Sequence, residues 1–139
     1  MKPHVSNIIR SAALHLRNIG RLRKYLNRTA SEQVVHAFVT SRLDMANSLL
    51  YGLPQEQINR LQRIQNIAAR VVTLSKKSCH ITPVLKDLHW LPVQLHIVYK
   101  ILLIVYKAIN GHAPLNIIKL LSFYTLPRNV RSIKINVIN

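Results

Sequence analysis

Apolar residues recur at intervals of three and four from Val5 to Ile109, and the whole chain has only three Gly and six Pro to punctuate it. That spacing is the period of one face of a helix. Strand-like alternation appears only at Ile133, Ile135 and Val137, where an isolated strand has nothing to pair with. The expected fold is all-α. We read a single helical domain of about five to six helices over residues 1–124 and a loose tail over 125–139. With 139 residues, 49% of them hydrophobic, the chain can build one packed core.

The first helix is expected from about Val5 to Leu26, with Val5, Ile8, Ala12, Leu16, Ile19, Leu22 and Leu26 inward. At about 100° per residue, Arg10, Arg17, Arg21, Lys24 and Arg28 share an opposite band roughly 60° wide. Gly20 lies within it and is a candidate break. Thr29-Ala-Ser-Glu32 has the form of a capping box. A helix should follow it to about Leu50, burying Val35, Phe38, Val39, Leu43 and Leu50. Gly52 suits a left-handed stop and Pro54 the first turn of the next helix.

That helix, 54–74, turns Ile58, Leu61, Ile64, Gln65, Ala68, Val71 and Val72 inward. Arg60, Arg63 and Arg70 lie opposite, joined by Lys77 if the helix reaches it. Ala68 and Ala69 are small enough to admit a close neighbour helix. A polar connection over 75–82 carries Lys76 and Lys77. Thr82-Pro83 reads as a cap with proline in first position, opening a short helix to Leu88. Pro92 begins what reads as the longest apolar helix, ending at Asn110-Gly111, and a last short helix is expected over 115–122. The run ILLIVY at 101–106 reads as buried core, being far short of the ~18–20 uncharged residues of a membrane span.

The chain carries 20 Lys and Arg against four acids, Glu32, Asp44, Glu56 and Asp87. Basic residues outnumber acidic ones eight to two in 1–50, six to two in 51–90 and six to none in 91–139. The excess therefore belongs to the body of the chain, and it favours a polyanionic partner. The single Cys79 excludes an internal disulfide. Arg10 and Arg17 interrupt any signal-peptide pattern. The compartment stays open, with an intracellular and nuclear setting compatible.

No catalytic or metal centre is legible. The seven histidines and Cys79 show no CxxC, HxxxH or HExxH spacing, and no Gly-rich phosphate loop or GxSxG appears. Glu32 is assigned to capping and Glu56 to a favourable helix first turn. Nothing in the spacing makes Asp44 or Asp87 converge with a base. No cofactor is implied. Tyr25, Tyr51, Tyr99, Tyr106, Tyr124 and Trp90 could stack on bases, but their helical spacing reads better as core packing.

Two stretches, SRLDMANSLLYGLPQEQINRLQRIQNIAARVV and HITPVLKDLHWLPVQLHIVYKILLIVYKAINGHAP, closely resemble the region after the polymerase core of LINE-type (non-LTR) retrotransposon reverse transcriptases of the jockey-like animal elements. The upstream HVSNIIRSAALHLRNIGRLRKYL and AFVTSRLD fit as well, so the resemblance covers about residues 4–124 without a gap. The chain departs from the family pattern at Met45-Ala46, where the family has an aromatic–Cys pair, at Leu115-Asn116, and through the end beyond Tyr124. The resemblance implies a C-terminal, thumb-like piece of an RNA-directed DNA polymerase, lacking the palm carboxylates and without catalysis of its own. The implied partners are RNA or DNA, as a primer–template duplex, and a reverse-transcriptase palm domain, with no membrane. Arg60, Arg63 and Arg70 match basic positions of the family's helix. Together with Arg10, Arg17, Arg21, Lys24, Arg28, Lys76 and Lys77 they form the expected backbone-binding set. The alternatives are a helical packing module that needs the palm or another partner, or a non-functional remnant of a mobile element.

Overall fold

A computed structural model describes residues 2–45 and 50–119, and these are all helix, turn or connection, with no strand among them. The elements are α1 (Lys2–Leu22) with a 3-10 turn at Arg23–Tyr25, then α2 (Arg28–Val35), a π-helical segment (His36–Thr40) and α3 (Ser41–Asp44). They are followed by α4 (Gln55–Thr73), α5 (Ile81–Asp87), α6 (Val93–Ile109) and α7 (Leu115–Ile118). The all-α expectation holds. The tail over 125–139 and the end of the 115–122 helix lie outside the described residues. By packing, the chain divides into Met1–Leu103 and Ile104–Asn139. The second unit, as described, holds the last turns of α6 and then α7. After α6, Gly111 adopts φ 71°, the left-handed stop read from Asn110-Gly111.

The first unit is built on α1 against α4. Val5, Ile8, Ala12, Leu16 and Ile19 of α1 are buried with Ile58, Leu61, Ile64, Ala68, Ala69 and Val72 of α4. The small Ala12, Ala68 and Ala69 are almost wholly covered, as close packing of two backbones requires. Gly20 does not break α1, which continues to Leu22. The helix does stop before the expected Leu26. Leu22, at the edge of the apolar face, is 55% exposed and no part of the core.

The next rod starts earlier than expected. Asn27, and not Thr29, caps α2: its Oδ1 accepts from the Ala30 amide at 2.7 Å, and the Ser31 hydroxyl donates to the Asn27 carbonyl at 2.8 Å. Glu32 is therefore not engaged in a capping box. A π turn interrupts the rod: the Ser41 amide reaches back five residues to the His36 carbonyl. Val35, Val39 and Leu43, spaced four apart, are all buried. Phe38, expected inside, is turned out and stacks on His15 with ring centroids 5.3 Å apart. The rod ends at Asp44, where Met45 is extended (ψ 118°), short of the Leu50 boundary expected.

Three other boundaries shift. Pro54 precedes α4, which ends at Thr73 because Leu74 turns left-handed with φ 56°, so Lys77 is not on the helix. In α5, His80 is the flanking residue, and Thr82 and Pro83 occupy the second and third positions, where an amide has no helical acceptor to lose. α6, with 17 residues, is shorter than α1 and α4. Only Val93 and Ile97 of α6 join the core cluster. Residues 101–106, expected to be buried, alternate between half-buried and exposed.

Candidate nucleic-acid interface

Arg10, Arg17, Arg21 and Lys24 are exposed, and the first three stand on the outer side of α1, where helical spacing puts them. Arg10 and Arg17 border a shallow groove of about 690 Å³ on that helix, with Leu14 between them. Lys24 lies in the 3-10 turn, its ammonium 4.8 Å from the centre of the Tyr25 ring. Arg28 leaves the band: because α1 ends at Leu22, Arg28 opens α2 and pairs there with Asp87.

On α4, Arg63 is exposed, whereas Arg60 and Arg70 are half-buried. Arg60 folds back to donate to Gln57 Oε1 at 3.1 Å. Along the outer side of the helix the order is Arg63, Ile67, Arg70, Leu74, alternately cationic and aliphatic, each three or four residues from the last. Ile67 and Leu74 are 47% and 68% exposed. The stripe runs into a cleft of about 570 Å³ lined by Gly20 and Arg23 from the end of α1 and by Ile67, Arg70, Val71, Leu74, Ser75 and Lys77. Arg70 and Lys77 thus meet at one site although the helix stops short of Lys77. Lys76 is exposed but does not line it.

Arg23 holds this place together. Its Nε donates to the Val71 carbonyl at 2.9 Å, one terminal nitrogen to the Val72 carbonyl at 2.8 Å, and the other to the Leu26 carbonyl at 2.6 Å. A guanidinium therefore covers carbonyls in the last turn of α4 that have no helical partner, at the negative end of the helix dipole. Sequence reasoning left Arg23 out of the basic set. The signal was present: eighteen residues after Val5, or five turns, Arg23 stands in the middle of the apolar face. A charged group in that position needs a polar partner across the interface.

Two of the four acids are paired. Asp87 pairs with Arg28, and Asp44 lies 3.1 Å from His96 Nδ1. This second pairing was not expected. It sits in a cleft of about 220 Å³ that also gathers His36, Thr40, His89, Trp90 and Tyr99. Residues 44 and 96 are too far apart in sequence for spacing to bring them together. Among the described residues no three metal-ligating side chains converge, and no helix is long and apolar enough to cross a membrane.

The aromatic residues also differ from expectation. Tyr25, Tyr51, Tyr99 and Tyr106 are each at least half exposed and are not core residues; Tyr124 lies outside the described residues. Trp90 is half-buried against the core cluster, in keeping with an anchor. Set beside protein-family models, curated proteins and solved structures, the chain matches none.

Proposed function

We propose that this chain is the helical, post-palm part of a LINE-type retrotransposon reverse transcriptase, without a catalytic centre of its own, and that it grips the backbone of an RNA–DNA duplex. The observation that carries the binding reading is the exposed Arg10, Arg17 and Arg21 of α1 and Arg63 of α4, in a chain with 20 Lys and Arg against four acids. Arginine forks suit phosphate oxygens. The family reading rests on the resemblance over residues 4–124, and the helical fold is compatible with it.

The test is fluorescence anisotropy of a labelled RNA–DNA duplex across a salt series. Affinity should fall linearly in log–log form, and the slope should decrease by up to about 0.9 for each phosphate contact removed in an Arg60/Arg63/Arg70→Ala variant. Absence of binding at low salt, or a slope unchanged in the variant, rejects the assigned face. Arg60, tied to Gln57, should contribute the least of the three.

One observation favours a second reading, a packing module for a palm domain or another protein. On α6, Leu95, Val98, Tyr99 and Leu102 are exposed in the first unit, more aliphatic surface than a free helix usually leaves wet. Self-association in sedimentation velocity, relieved by Leu95→Gln with Leu102→Gln, would favour that reading. A stable monomer would count against it.

A further inference from the structure

The cleft at the ends of α1 and α4 has an aliphatic floor and a cationic rim. Ile67 and Leu74 are exposed and belong to no part of the core cluster, so the core does not explain them. Arg70 and Lys77 stand beside them. The Nε of Arg70 is buried and meets no acceptor among the described residues, and one of its terminal nitrogens is 3.4 Å from the Cys79 carbonyl, at the long end for a hydrogen bond. The buried Nε is closed to a ligand, so an acceptor in the cleft would be met by the loosely held terminal nitrogens. Gly20 keeps the α1 side bare: a Cβ built there meets nothing within 4 Å. A volume of about 570 Å³ falls within the ~300–1,000 Å³ of small-ligand sites.

We infer that this cleft takes one unpaired nucleotide of a bound strand, the base lying on Ile67 and Leu74 and its phosphate meeting Arg70 and Lys77. The inference rests on the nucleic-acid reading above and adds to it a preference for strand ends or frayed bases over continuous duplex. Charge selects an anionic occupant, since Arg23, Arg70 and Lys77 line the cleft and none of the four carboxylates does. The chain's own residues 120–139 do not complement it, carrying three cations and no acid. The Thr73 hydroxyl donates to the Ala69 carbonyl at 2.9 Å, so the Ser75 hydroxyl gives its proton to Thr73 at 2.7 Å and can only accept. Recognition therefore runs mainly through the base face, which is sequence-tolerant.

The full chain is titrated into a blunt RNA–DNA duplex and into the same duplex with a three-nucleotide single-stranded overhang, at one ionic strength. Covering one base face on aliphatic side chains corresponds to about tenfold tighter binding of the overhang probe. In Gly20→Leu, which fills the mouth of the cleft with a better helix former, the ratio of the two affinities falls to about one. Lys77→Gln reduces the ratio in part. Equal affinities in the parent chain overturn the inference while leaving duplex binding intact, and failure to bind either probe overturns both readings. A ratio retained in Gly20→Leu also overturns it. So does an acidic, leucine-containing peptide that displaces the overhang probe more strongly than adenosine monophosphate does, which would assign the cleft to a protein partner.

Discussion

Replacing Arg23 should weaken the fold more than any other exchange of a cation in this chain. Its guanidinium donates to three carbonyls, those of Leu26, Val71 and Val72, at 2.6–2.9 Å. Hydrogen bonds from a charged donor contribute ~1.5–3 kcal/mol each when well buried. These are partly buried, and water can reach the freed carbonyls in a variant, so about 1 kcal/mol apiece is the better figure. Arg23→Ala should then cost about 2–3 kcal/mol. For a chain of 139 residues each kcal/mol moves Tm by ~3–4 °C, so the midpoint should drop by about 7–10 °C. With an m-value of ~1.5 kcal/mol/M, the urea midpoint should fall by roughly 1.5–2 M. Circular dichroism at 222 nm reads both. Arg23→Lys keeps a charge at the helix end, worth ~0.5–1 kcal/mol, but cannot reach three acceptors with one fork. It should recover less than half the loss. A loss under ~0.5 kcal/mol in the alanine variant, or full recovery by lysine, would refute the capping role.

Three further outcomes follow from the same geometry. Asn27→Ala removes the side chain that caps α2 and should cost about 1 kcal/mol in urea unfolding, whereas Thr29→Ala should cost little. Leu74→Gly should stabilise the chain by ~0.5–1 kcal/mol in thermal unfolding, because leucine is strained at φ 56° and glycine is not. Asp87→Asn breaks a pair whose side chains are both more than half exposed, and should change the midpoint of unfolding only marginally, consistent with the modest worth of surface ion pairs.

The faces of α1 and α4 were legible because each is long and its apolar positions keep one period for five turns. Boundaries were less so. Asn27 and Thr29 are both good caps two residues apart, and the outcome depends on which side chain meets a free amide in the folded chain. The π turn could not be read from composition. The four-and-four spacing of Val35, Val39 and Leu43 is no trace of it, because regular α1 buries Ile8, Ala12 and Leu16 at the same spacing. The tyrosines were misplaced because helical spacing says which residues share a face, but not whether a neighbour covers it. Of the basic set, Arg10, Arg17, Arg21 and Arg63 stand exposed as read. Arg28 was lost to a helix end; Arg23 was legible from its place on the apolar face but its carbonyl partners were not, and the role of Gly20 had to come from the packing of α1 on α4. The pairing of Asp44 with His96 joins distant segments, and only the fold reveals it.

The start of α6 is held by side chains of α4. Gln62 Oε1 accepts from the Val93 amide at 2.8 Å, and Gln65 Nε2 donates to the Leu91 carbonyl at 2.8 Å. A further bond, Gln62 Nε2 to Gln65 Oε1 at 2.9 Å, ties the two glutamines together. An amide in the first turn of a helix normally exchanges with solvent as fast as that end frays. The Val93 proton is tied to an element 31 residues earlier, so it can be released only when the α4–α6 contact itself opens. Its exchange rate is thus a gauge of docking, and the two segments should open as one cooperative unit.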